Sequence, residues 1–276
     1  MAVPTLRPLR SPWIFAATLA VLALPGVARA DSLRSYCPDR PGMNTPPCTI
    51  DAGHPSAELS WFDWTRANDA AARTDTVLIG DMALRYGIDG RTELRLGWTA
   101  YGHVRSRDKA SGTVTTASGV GDVTLGIKRN LVGPDMSGFS LALLPAVSLP
   151  AGGTAIGAGD WGAGLQAPMS LPLAGPVSLA VTPEVDAAVN AGGHGRHLAY
   201  GTAAGLAIAA STRVNLALEM SVLHDDDPAG ASTSATAGVA AGLMLGKATQ
   251  IDIAGEFGLD HAAPGLRLYA GIARRF

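Results

Sequence analysis

From residue 57 to its last residue the chain breaks into segments of about ten residues in which apolar and polar side chains alternate with period two, separated by Gly, Pro, Asp and Asn turns. In "TRVNLALEMSV", Val214, Leu216, Leu218, Met220 and Val222 fall on one face of an extended strand and Arg213, Asn215, Ala217, Glu219 and Ser221 on the other. Wound as a helix, the same residues would spiral charge into the apolar side. "TQIDIAGEFGLD" separates as cleanly, and so does "TELRLGWTAYGHV", with Leu94, Leu96, Trp98 and Val104 against Glu93, Arg95, Thr99, Tyr101 and His103. In "AELSWFDWTR" Trp61, Phe62 and Trp64 occupy both faces, and the register is not set by the pattern.

About twelve such segments begin near residues 57, 76, 92, 120, 138, 162, 176, 197, 212, 234, 249 and 264. This is an even number, as bacterial outer-membrane barrels use. The connections alternate in length. "IDGR", "LVGPDMS", "LAGP", "AAST" and "GKAT" are short, whereas "ANDAAARTD", "SRDKASGTVTTASG", "PAGGTAIGAGD", "AGGHGRH" and "HDDDPAGASTS" are long. Short periplasmic turns and longer extracellular loops define an all-β, transmembrane, antiparallel up-and-down barrel.

Energetics decides which face looks out, because a basic side chain at the bilayer midplane costs about 2–4 kcal/mol. The Val/Leu/Ile face therefore goes to lipid. The lumen receives Asp81, Arg85, Arg95, Lys128, Glu184, Asp186, Arg213, Glu219, Asp252, Glu256 and Arg267, whose opposite signs can pair across strands. A soluble antiparallel barrel or sandwich with the apolar face inward is the competing architecture. It would need a charged exterior, yet the polar face is rich in small residues such as Ala199, Gly201, Ala203, Gly205 and Ala207. Pro145, Pro168 and Pro183 fall within strand candidates and demand a bulge or a strand end.

Before the barrel, residues 1–30 read as a secretory signal peptide: Arg7 and Arg10, an apolar run from Trp13 to Leu24, and Ala28-Arg29-Ala30 as the cleavage site. Removing its three arginines and no acids takes the formal net charge from −2 to about −5, which argues against a nucleic-acid partner. Charged residues make up only 16% of the chain, below the roughly 25% of a typical soluble domain. Residues 31–56 carry both cysteines, Cys37 and Cys48, in the proline-rich "CPDRPGMNTPPC". In an exported protein this spacing reads as one local disulfide, with zinc as the alternative. The segment is a candidate plug for the barrel that spans 57–276.

On the closing strand, Leu266, Leu268, Ala270, Ile272 and Phe276 share the lipid face and Arg267, Tyr269, Gly271 and Arg275 the other, with Arg274 interrupting the apolar row. Tyr269, Ile272 and Phe276 resemble the C-terminal signal by which outer-membrane barrels are recognised by the barrel-assembly machinery. "SYCPDRPGMNTPPCTIDAGH" before an aromatic first strand, together with "GVGDVTLGIKRNL" in the fourth, resembles the MetA-pathway of phenol degradation family. That resemblance implies an outer-membrane barrel admitting aromatic or other hydrophobic compounds.

Motifs with chemical meaning are few. "GAGDWG" at 157–162 matches a dinucleotide fingerprint but lacks the strand and helix that give it function. "HGRH" places His194 and His197 in a Gly-rich loop, and "HDDDPAG" gathers His224, Asp225, Asp226 and Asp227 at another, a weak candidate for a divalent cation or a lipopolysaccharide bridge. No cofactor is expected.

Three functions remain open. The first is a channel for small molecules. The second is a non-conducting barrel that stabilises the membrane or presents loops. The third, disfavoured since no GxSxG motif is present, is a rim hydrolase using His103, His224 and loop aspartates. Localisation is the bacterial outer membrane, with lipid, lipopolysaccharide and a small-molecule substrate as expected partners.

Overall fold

The computed structural model describes residues 33–276; the expected signal peptide lies outside the described residues. Fourteen antiparallel strand segments follow: β1 (Pro55–Asn68), β2 (Ala72–Gly87), β3 (Thr92–Asp108), β4 (Val114–Gly119), β5 (Val123–Val132), β6 (Ser140–Leu149), β7 (Gly162–Gln166), β8 (Met169–Ala174), β9 (Val177–Val189), β10 (Arg196–Ala209), β11 (Val214–Asp225), β12 (Ser232–Met244), β13 (Thr249–Gly258) and β14 (Leu266–Arg275). β4 and β5 pair successively along β3, and β7 and β8 both lie between β6 and β9, so the fourteen segments make twelve staves. β14 pairs with β1 from Ser56 opposite Arg275 to Arg66 opposite Leu266, and the wall closes on itself, with β4, paired to β3 alone, standing off the closed ring.

Alternation becomes two environments. On β11, Leu218 and Met220 are 50% and 55% exposed while Glu219 between them is 8% exposed, so the apolar row faces outward and the carboxylate faces the lumen. The same holds for exposed Leu94 and Leu96 against buried Glu93 on β3. Charged side chains on the outer face sit at its two ends. Arg66, Arg73 and Asp75 pair at the loop end, and Arg129 pairs with Asp89 at the turn end, so the band between them is left to lipid.

Two features depart from the sequence reading. The expected long loop "ANDAAARTD" is mostly strand, leaving only residues 69–71 as a turn, and "SRDKASGTVTTASG" is the end of β3, a short turn and β4. β1, β2 and β3 run 14, 16 and 17 residues, against the roughly 9–11 that cross a bilayer. Polar composition marks where lipid ends, and the hydrogen-bonded ladder continues past that point into water.

The second departure is in side-chain parity. A bulge at Trp61 and Phe62 shifts the register of β1, so both rings face outward at 49% and 44% exposure, while Ser60 and Asp63 on either side face inward. On β2 and β3 the alternation reverses near Gly80, at φ +69°, and Ala100. Tyr101 and His103 therefore lie on the outside, where both approach Ser118, rather than on the lumenal face with Glu93 and Arg95.

The prolines gather in one part of the wall. Pro145 lies on β6 where its pairing with β5 lapses between Gly126–Ala146 and Arg129–Leu143. Pro168 falls in the break between β7 and β8, and the Pro183 carbonyl accepts the Ala167 amide across that break.

Candidate functional site: a plugged lumen

Residues 33–54 fold back into the turn end of the barrel. The Cys37–Cys48 disulfide, its partners eleven positions apart in sequence, closes this segment into a loop containing Pro38, Pro41, Pro46 and Pro47. Prolines remove backbone freedom and amide donors, which suits a segment that must lie against a wall without joining its ladder. Tyr36 and Ile50 pack on Ala273 at the turn end, and the Tyr36 and Ser56 hydroxyls are 2.7 Å apart.

Charge fixes the segment in place. From β2, β3 and β5, Arg85, Arg95 and Lys128 face Glu58 of β1 and Glu93 of β3, leaving the wall one positive charge in excess. Asp39 of this segment supplies the balancing carboxylate: it lies 2.9 Å from Lys128 Nζ and 3.2 Å from Arg85, and also pairs with Arg95. Arg85 makes a two-pronged contact with Glu93, both bonds 2.9 Å, and a third bond of 2.9 Å to Glu58. Glu58 in turn accepts the backbone amides of Asp39 and Arg40 at 3.0 Å. Burial alone would raise the Asp39 carboxyl, but Arg85, Arg95 and Lys128 outweigh it and hold Asp39 well below the usual carboxylate range.

A second group of contacts holds the far side of the loop. Arg40 pairs with Asp252 at 2.8 Å and donates to Ser60, while the Gln250 amide donates to the Arg40 carbonyl. The Glu219 carboxylate accepts the backbone amides of Met43 and Asn44 and the Asn44 side-chain amide, at 2.7–3.0 Å. Gly42 passes between Glu219 and Tyr269 at φ +122°, where a Cβ would meet Glu219 Oε2 at 2.6 Å; its amide donates to the Tyr269 hydroxyl. At the tip, the Thr45 amide donates to Thr182 Oγ1 and the Thr45 hydroxyl to Gln166 Oε1, both at 3.1 Å.

Above the tip a cavity of about 560 Å³ remains, lined largely by small residues such as Ala83, Gly97, Gly126, Ala146 and Gly164, with Arg95, Glu184, Asp186 and Asp225 as its charged groups. Residues 150–161 meet it through Ala158. They are held by Asp122, which accepts the Gly152 and Ala158 amides at 3.0 and 2.7 Å.

The structure thus sorts the lumenal candidates. Arg85, Arg95, Lys128, Glu219 and Asp252 hold residues 33–54. Asp81, which accepts the Thr99 hydroxyl, and Arg267, paired with Asp63 and Glu256, belong to wall networks. Glu184 and Asp186 face the open cavity. Arg213 lies instead in an exposed turn, because Ser211 Oγ accepts the Arg213 and Val214 amides and starts the strand one residue later. Tyr269 is buried in the lumen, Ile272 is half-buried, and the Phe276 amide donates to Pro55 at the seam. Asp39, Arg40, Glu58, Asp63 and Glu93 complete the networks and were not among the candidates; the match between Asp39 and a wall one acid short is visible only once the register is known.

At the loop rim, the structure separates the "HDDD" residues. His224 turns to Asp226 and Thr233 in solvent, whereas Asp225 and Asp227 turn to His197 near the start of β10. His194 contributes only its carbonyl, to Asn190.

A closed twelve-stave barrel with an apolar outer band and a charged lumen is a bacterial outer-membrane β-barrel. The chain belongs to the family described as "Putative MetA-pathway of phenol degradation", whose model matches residues 39–276. It shares its fold with the COG4313 outer membrane channel from Pseudomonas putida F1, at 14% identity and TM-score 0.69 over 86% of this chain and 99% of that one. It also resembles the translocator domain of the autotransporter NalP from Neisseria meningitidis, at 12% identity and TM-score 0.53 over 82% of this chain and 89% of that one. The beta domain of the Bordetella autotransporter BrkA gives 14% identity and TM-score 0.52 over 82% and 100%. No curated protein matches the chain.

Proposed function

We propose that this protein is an outer-membrane channel that admits small aromatic or other hydrophobic molecules, with residues 33–54 as its plug. The observation that carries the reading is the 560 Å³ cavity above Thr45, a volume within the range of small-molecule sites and lined mainly by apolar area. An open aqueous pore would need a lumen free of side chains and chain segments, and here the lower lumen is occupied by ion-paired plug. A molecule with little hydration to lose fits the small-residue lining above it. Family membership, by its description, supports an aromatic substrate class. The protein is proposed as a transporter without catalytic activity, and turnover of phospholipid or peptide by the purified barrel would overturn that part.

A second reading, a non-conducting barrel that presents its loops, is favoured by the extent to which the plug satisfies the lumen's charges. Flux into liposomes separates the two. Refolded protein is expected to pass phenol faster than empty liposomes do while a small sugar stays at baseline. Sugar passing as fast as phenol would replace the selective route with a general porin. Neither solute exceeding baseline would favour the loop-presenting barrel.

A further inference from the structure

The outer rim holds a cluster whose chemistry calls for a cation. His197, near the start of β10, and Asp225, at the end of β11, both point inward at the barrel mouth, and Asp227 joins them from the loop that follows, its Oδ2 lying 3.6 Å from His197 Nδ1. His197 Nε2 lies 2.7 Å from Asp225 Oδ1, and one ligand atom from each of the three residues can be chosen with all of them within 4.8 Å of one another. The His197 side chain is 95% buried, taken from its 5% exposure, and its Nε2 has no hydrogen-bond partner among the described residues.

The neighbours of the ring say which nitrogen carries the proton. Asn190 Nδ2 donates to the His194 carbonyl at 3.0 Å, which turns Asn190 Oδ1 toward the ring. That oxygen is 3.0 Å from His197 Nδ1 and can only accept, so Nδ1 bears the hydrogen. In the neutral ring Nε2 is then a bare lone pair 2.7 Å from a carboxylate oxygen, two acceptors in close contact with no hydrogen bond between them. Such an arrangement is unfavourable unless a positive species lies between them. An Asn oxygen fixing the distal imidazole nitrogen is also what orients a metal-binding histidine.

We propose that His197 Nε2 and the carboxylates of Asp225 and Asp227 form a site for a divalent metal ion of the zinc class, completed by water. One imidazole nitrogen with two carboxylates suits zinc better than calcium or magnesium, which prefer all-oxygen shells. Asp225, the most exposed of the three side chains at 34%, gives the ion an entry path and also borders the cavity below. Asp227 holds the Ala191 and Ala229 amides at 2.6 and 2.7 Å, so an ion here would tie residues 190–195, residues 226–231 and the β10–β11 edge into one rigid sector of the mouth. The site stands independently of the transport reading.

The test is a zinc titration of the full-length refolded barrel by calorimetry, with ring-¹⁵N nuclear magnetic resonance of its histidines. One zinc per chain is expected, with the His197 Nε2 resonance moving on saturation and Nδ1 remaining protonated. Asn190→Ala, a positioning change, is expected to weaken binding about 10- to 100-fold, and the isosteric Asp225→Asn by at least as much. His197→Ala should abolish the binding. Gel mobility before and after heating reports whether each variant has refolded; should His197→Ala fail, Asp225→Asn and the wild-type resonances still decide. Three results would overturn the site: no zinc bound, zinc bound equally by the His197 and Asp225 variants, or a metal-free ring protonated on both nitrogens that stays so with zinc present, which would make the cluster an ion pair only.

Discussion

The two sides of the lumen hold the same plug by different means. Against β1, β2, β3 and β5 the contacts are ionic and buried: Arg85, Glu93 and Lys128 are each at most 1% exposed, and Asp39 completes their charge balance. Against β9 through β12 the wall offers Ser178, Ala180, Ala207, Ala217 and Ala240, and a gap of about 300 Å³ separates it from Pro41, Pro46 and Pro47. On that side the plug is held by Glu219 and by neutral hydrogen bonds at Thr45. Ionic contacts fix orientation, while small side chains leave room. The difference implies that a plug anchored on the charged side yields first at its tip and along the alanine wall.

Removing the plug tests whether the two sides differ at all. Deleting residues 33–54 leaves Arg85, Arg95 and Lys128 facing only Glu58 and Glu93, and empties the gap along the alanine wall. Sugar flux through the deleted barrel is expected to rise on the order of tenfold or more over the full chain, since twelve staves lie between the filled eight-stranded and the open sixteen-stranded barrels. Unchanged flux in correctly refolded protein would show that the segment does not set the passage.

The next largest effect belongs to the ionic side alone. Asp39→Asn strips one partner from a buried network, a change that costs about 3–5 kcal/mol. If the whole loss falls on docking, undocked plug becomes more populated by about 10² to several times 10³. Protease cleavage within residues 33–54 reads that population directly. Acid gives the same perturbation with a defined sign. A carboxyl held below its ordinary value of 3.8 contributes stability above that value and loses it as pH falls toward its docked value. Wild-type protection should therefore be flat from neutral pH down to about pH 4 and decline only in stronger acid. Protection lost near pH 6 would move the controlling group away from Asp39.

Much of the barrel is legible because lipid imposes a rule on every second residue. The alternation around Leu218, Glu219 and Met220 needs no tertiary knowledge. Where the rule lapses, so does legibility. Trp61 and Phe62 both face outward because a bulge adds a residue to β1, a local event that alternation cannot anticipate. The outer strand ends carry the composition of loops because β3 from Ser106 to Asp108 lies beyond the lipid band, where nothing constrains its alternation. The plug was legible as a disulfide loop but not as an ion-paired one, since Asp39 meets Lys128 across 89 residues of chain. The rim cluster joins His197 to Asp225 across strands in the same way, so neither "HGRH" nor "HDDD" announces it.

The disulfide sharpens the comparison by loosening the plug without touching either wall. Replacing Cys37 and Cys48 by serine frees a loop whose closure is worth about 2–4 kcal/mol. The ion pairs of Asp39 and Arg40 remain available. Protease sensitivity is expected to rise less than in Asp39→Asn and to concentrate between residues 41 and 47, on the alanine-wall side. Cleavage spread evenly from residue 34 to 54 would mean the charged side cannot hold an open loop.

The smallest change tests the tip. Thr45→Val keeps the side-chain shape and the backbone bond to Thr182, and removes only the hydroxyl bond to Gln166, a loss of about 1 kcal/mol. Gln166 remains attached to Glu184 through Nε2 at 3.1 Å, so its side chain is not set free. Because the tip floors the cavity, even this loss should raise phenol flux, by about fivefold at most. The anchor at Asp39 should stay protected. If phenol flux responds to Thr45→Val while protease sensitivity does not, the passage opens at the tip with the plug still docked. If the two rise together, the plug leaves as one body and the difference between the two walls has no part in gating.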